Sequence, residues 1–81
     1  MQLEIVTPDK KIFSGDVKLV QVPGVSGSFE ILNNHAPIIS TLEKGNVILV
    51  DQGGTETVYE ISGGVIEVKA NRIILLADSV R

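Results

Sequence analysis

Glycine, proline, asparagine or aspartate interrupts this chain every few residues, and the runs between the interruptions are short and rich in Val and Ile. Such runs read as strands, because β-branched side chains pack well on a pleated surface. No window holds apolar residues at helical spacing. Strand signals fall at Leu3–Thr7, Lys11–Phe13, Val17–Val22, Ser28–Leu32, Ile38–Leu42, Val47–Asp51, Thr55–Ile61, Val65–Lys69 and Arg72–Leu76. Gly53-Gly54 and Ala70-Asn71 sit where tight hairpin turns need positive φ. Within Val65–Lys69, Ile66 and Val68 share one face and Glu67 and Lys69 the other. The last run, Arg72 to Ala77, is apolar on both faces after its first residue. That suits a strand covered by the core on one side and by something else on the other, and its phase is open. The reading is an all-β fold, a small sandwich or flattened barrel of roughly eight to ten short strands.

With 81 residues there is room for one domain, residues 1–81. There are no cysteines, so disulfides and thiolate metal sites are excluded, and one histidine cannot build a metal site alone. Stability must come from packing, with help from a partner subunit as a further source. Apolar residues make up 43 % of the chain and the mean hydropathy is positive. Two readings fit this, a Val/Ile-rich strand core and apolar surface covered by other chains, and both can hold together. The net charge is −3 and Lys10-Lys11 is the only adjacent basic pair. Nucleic-acid binding needs a clustered positive field, so it is not expected. The apolar runs near Val47–Val50 and Ile73–Ala77 are too short to span a bilayer, and the start Met-Gln-Leu-Glu carries no secretory pattern. The expectation is a cytoplasmic chain that reaches a membrane only through a partner.

The segment densest in chemistry is Gly27 to Pro37, with His35 in an Asn-rich turn. A histidine there reads better as a loop-fixing hydrogen-bonder than as a proton shuttle. No nucleophile stands with a base and an orienting group, so no catalytic residue is assigned. Ser62-Gly63-Gly64 lacks the following helix and lysine of a phosphate-cradling loop, and reads as a bend or bulge between strands. No cofactor and no metal is assigned.

Taken in order, Thr7-Pro8, Phe13-Ser14-Gly15, Val20-Gln21-Val22-Pro23-Gly24, Gly27, Asn34-His35-Ala36-Pro37, Leu42, Gly45, Ser62-Gly63-Gly64, Glu67-Val68 and Leu76-Ala77-Asp78 carry a resemblance over nearly the whole chain. They resemble the N-terminal domain of the ATP synthase epsilon chain, called delta in mitochondria. The resemblance implies a β-sandwich of about ten strands. It implies a non-catalytic central-stalk subunit of a proton-translocating ATP synthase, bound to the gamma chain and the ring of c subunits, coupling ion transport to ATP synthesis. It implies a peripheral place on the cytoplasmic face of a bacterial inner membrane. Ser26, Gly27, Ser28, Phe29 and Glu30 match the turn that meets the c ring, and His35, Ala36 and Pro37 the region facing gamma. An acidic residue is frequent in the family where this chain has Ser28, and a glycine where it has Glu30, so here the acidic charge sits two positions later. Many bacterial relatives continue with a C-terminal pair of helices that restrains hydrolysis and in some members binds ATP. This sequence closes at Asp78-Ser79-Val80-Arg81, so the expectation is no helical domain, no ATP binding and no inhibition by an extended arm. The competing readings are a free-standing ligand-binding β-sandwich, which needs a pocket of convergent polar groups, and an enzyme.

Overall fold

Ser14-Gly15 has the composition of a strand end, yet the backbone runs straight through it. In the computed structural model, which describes residues 1–81, Lys11–Gly24 is one strand of 14 residues. The elements are β1 (Gln2–Val6), β2 (Lys11–Gly24), β3 (Gly27–Leu32), β4 (Ile38–Leu42), β5 (Gly45–Asp51), β6 (Glu56–Ile61), β7 (Gly64–Lys69) and β8 (Arg72–Ala77). There is no helix, as expected of an all-β chain. The nine runs read from the sequence become eight strands, against the ten or so that the resemblance implies: the runs at Lys11–Phe13 and Val17–Val22 are both parts of β2. Cross-strand pairing explains why. The first half of β2 pairs with β1 from Lys11 to Asp16, and its second half pairs with β5 from Val17 and with β3 from Leu19. Partners on both stretches hold the backbone extended where local composition alone would let it turn.

Irregularities let β2 serve two sets of neighbours. Its register slips against β1 between Ile5 and Val6, and against β5 between Val17 and Leu19. Such bulges bend and twist a strand. The pairings β1–β8, β8–β7, β7–β4, β4–β2 and β2–β1 then return to their starting point. They close a ring, with β4 and β2 meeting at Leu42 and Gly24. β3, and β5 with β6 beyond it, extend from β2. β1 and β8 run parallel, and the other pairings are antiparallel. The result is the flattened barrel that the sequence suggests.

Alternation fills the barrel. Leu3 and Ile5, Val20 and Val22, Val47 and Leu49, Ile66 and Val68, and Ile73, Leu75 and Ala77 point inward from their strands into a cluster of 16 buried residues. No polar or charged side chain is buried. Each fully buried Val, Leu or Ile contributes about 1.5–3 kcal/mol, which is how a chain without cross-links holds a core.

The turns obey the chemistry read from their residues, with one extension. Ala70 and Asn71 have φ of 52° and 62°, the pattern of a type I′ hairpin turn. At Gly53-Gly54 the turn is longer than a two-residue link. Gly54 takes φ of 88°, while the Asp51 carboxylate accepts a 2.9 Å hydrogen bond from the Thr55 N–H. That bond keeps Thr55 in the turn, so β6 begins at Glu56.

Candidate functional site

The Gly24–Gly27 pair closes the β2–β3 hairpin at one end of the barrel. Val25, Ser26, Gly27 and Ser28 at this tip are exposed, and Gly27 takes φ of 125° with open space around it. Register then sorts the rest of β3. Phe29 lies opposite buried Val22, whereas Ser28 and Glu30 lie opposite Pro23 and Gln21. Phe29 packs against the core, with its ring lying over Gly24, where a Cβ would sit 2.7 Å from Cε1. Phe29 therefore supports the tip from within, and Ser26, Ser28 and Glu30 present their side chains to solvent. The Gln21 Nε2 donates to Ser28 Oγ at 3.0 Å and steadies that position.

The turn that holds His35 lies at the other end of β3. β3 has six residues, a span of roughly 20 Å, so one strand joins the two sets of residues singled out from the sequence. His35 is half-buried, and Ala36 and Pro37 are exposed. The His35 N–H donates to the Leu32 carbonyl at 3.1 Å. The His35 ring makes a 2.7 Å bond with the Ala36 carbonyl; a carbonyl only accepts, so Nδ1 carries the proton and donates. The ring is thus tied to the backbone of its own loop, and no carboxylate is bonded to it.

A sheet face adjoins this turn. Along β4, β7, β8 and β1, Ile39 lies beside Glu67, Ile74 and Glu4 in one row, and Thr41 beside Val65, Leu76 and Val6 in the next. Those rows point away from the core. Ile39 is 72 % exposed and Leu76 53 %, with Ile74 and Val65 also exposed. The phase of β8, open in the sequence, is therefore Ile73, Leu75 and Ala77 inward and Ile74 and Leu76 outward. Pro37, Ile38 and Ile39 with Glu67, Val68 and Lys69 line a groove of about 470 Å³ between the turn and this face. Apolar residues also look outward on the β3–β2–β5–β6 side, where Leu32 and Val58 are exposed. Single exposed apolar residues are ordinary, but adjoining ones on one face mark an interaction surface.

No group of three His, Asp or Glu residues stands close enough to hold a metal, and Ser62 Oγ is bonded to Ser79 Oγ at 2.7 Å rather than to a base. Ser62-Gly63-Gly64 enters β7, as a bend between strands should.

The sequence pattern described as ATP synthase, Delta/Epsilon chain, beta-sandwich domain matches residues 1–81, from one end of the chain to the other. The chain belongs to this family. It is 42 % identical over 78 residues to the ATP synthase epsilon chain of Chlorobaculum tepidum, covering 96 % of this chain and 89 % of that one. It is 43 % identical over 79 residues to the epsilon chain of Chlorobium limicola, covering 98 % of this chain and 90 % of that one. Some relatives are longer. The match to the epsilon chain of Dichelobacter nodosus, at 46 % identity, covers 95 % of this chain but 54 % of that one. Among solved structures, a chain of the Euglena gracilis mitochondrial ATP synthase, determined with its c-ring, superposes with a TM-score of 0.92 at 21 % identity over 98 % of this chain and 51 % of that one. A chain from the Tetrahymena thermophila mitochondrial ATP synthase central stalk and c-ring gives 0.85 at 16 % identity, over all of this chain and 65 % of that one. At those identities the structures establish the shared fold of this epsilon-family chain.

Proposed function

We propose that this chain is a non-catalytic subunit of the central stalk of a proton-translocating ATP synthase. It binds the gamma chain through His35, Ala36, Pro37 and the sheet face beside them, and meets the c ring through the tip from Ser26 to Glu30. The observation that carries the reading is the outward apolar face of Ile39, Val65, Ile74 and Leu76, adjoining the His35 turn, on a chain of this family. A face of that kind gains stability when a partner covers it.

The architecture suits a rotor. A torque-bearing element must not yield between its two contacts. The tip and the His35 turn are the two ends of β3, which is bonded along its length to β2 of the closed ring. A push on the tip is then carried to the far end by a hydrogen-bonded strand with no hinge in it. Catalysis belongs to other chains of the complex, and membrane association is peripheral, on the cytoplasmic face of a bacterial inner membrane. This chain takes no cofactor and binds no ATP by itself.

The tip gives the test. Ser28→Lys with Glu30→Lys places two positive charges at exposed positions without touching the core. ATP-driven proton pumping by membranes carrying the assembled variant should fall severalfold while ATP hydrolysis continues, the mark of lost coupling. Unchanged pumping with normal assembly would remove the tip from the proposal.

A further inference from the structure

Asn71 ties together segments that are far apart in the chain. Its backbone, at φ of 62°, forms the second corner of the β7–β8 turn. Its carbonyl accepts the Gln2 N–H at 3.2 Å, fixing the start of β1. Its side chain reaches across to the turn before β4. There Oδ1 accepts the Asn34 N–H at 2.8 Å, and Nδ2 donates to Asn33 Oδ1 at 2.9 Å. A backbone N–H can only donate, so the orientation of the Asn71 amide is settled by its partner. Asn34 itself has φ of 64°, a conformation that needs support in a residue with a side chain.

We infer that Asn71 is a positioning residue for the gamma contact, holding the Asn33–Pro37 turn in its binding conformation before the partner arrives. The inference rests on the reading of His35–Pro37 as that contact. The turn's other two bonds, His35 N–H to the Leu32 carbonyl and His35 Nδ1 to the Ala36 carbonyl, are local. Among the hydrogen bonds of the turn, only those of the Asn71 side chain reach beyond the end of the adjoining strand β3 to a distant part of the barrel. A chain whose binding-competent conformation is only partly populated binds more weakly in proportion to that fraction. Removing the amide therefore lowers affinity without removing any contact made to gamma.

Asn71→Gly deletes the side chain and keeps the positive φ at no strain. In the isolated chain, exchange of the Asn34 amide proton should quicken about tenfold or more, while amides of the β7 and β8 ladder hold. With purified gamma chain in surface-binding kinetics, association should slow about fivefold, with dissociation changed less than about twofold. Asn71→Asp keeps the acceptor for Asn34, and Asn33 can turn its amide to donate, so this variant should recover most of the association rate. Pro37→Ala, a change at the contact, should instead hasten dissociation. Unchanged association by Asn71→Gly, with Pro37→Ala still hastening dissociation, would overturn the positioning role alone. Faster dissociation by Asn71→Gly would make Asn71 a contact and also overturn it. If neither variant alters binding, the turn is not the gamma contact and the reading beneath the inference falls with it.

Discussion

Gly64 opens β7 beneath the final strand, and a Cβ built on it would collide with the Leu76 carbonyl oxygen and lie 3.1 Å from Ala77 Cα. Both are backbone, so neither can step aside by changing rotamer. Gly64→Ala should force β7 and β8 apart and cost about 2–3 kcal/mol, visible as a lower urea midpoint. An unchanged midpoint would mean the two strands separate freely there. Ala70 makes the opposite case. It holds φ of 52° in the turn, where an L-residue pays roughly 1 kcal/mol. Ala70→Asn should raise stability by about 0.5–1 kcal/mol, because Asn enters the left-handed region more easily; a loss on thermal unfolding would contradict the turn assignment. The positive φ at Asn71 is legible from the sequence, since an Asn in a two-residue link calls for it. The reach of its side chain to Asn33 and Asn34 is not, because that bond spans 37 and 38 residues and depends on how distant strands are registered.

At the scale of elements, β7 and β8 pose different problems to a reader of sequence. β7 alternates apolar Ile66 and Val68 with Glu67 and Lys69, and the buried face follows directly. β8 is apolar at every position after Arg72, so composition leaves two phases equally good. Pairing decides between them: β1 lies alongside with buried Leu3 and Ile5 opposite Ile73 and Leu75, which fixes Ile74 and Leu76 outward. The same kind of long-range pairing hid the continuity of β2 through Ser14-Gly15. It also turns Phe29 inward, opposite buried Val22 and against the core. The phase of β8 has a direct consequence. Ile39→Lys with Leu76→Lys should leave the unfolding free energy within about 0.5 kcal/mol of the parent while weakening gamma binding more than about tenfold, a change of ~1.4 kcal/mol. Ile66→Ala, on the inner face of the same sheet, should instead cost about 2–5 kcal/mol. Equal destabilisation by both would mean that the outer face is not a free surface.

Over the whole molecule, the all-β class, the turns and the family follow from strand-sized runs, Gly and Asn placement, and motifs spread along the chain. The closed ring, and the gathering of Ile39, Val65, Ile74 and Leu76 on one outward face, come only with the pairing of strands. That surface is what the functional account depends on. The chain has its own core of 16 buried residues, yet it leaves Ile39, Val65, Ile74 and Leu76 facing water. Calorimetric titration of the folded chain with its purified gamma chain tests this most directly. Saturable binding is expected, with affinity of about ten micromolar or tighter and a negative heat-capacity change as the apolar face is covered. No heat of binding at concentrations on the order of tens of micromolar, over several temperatures and with both chains folded, would contradict it.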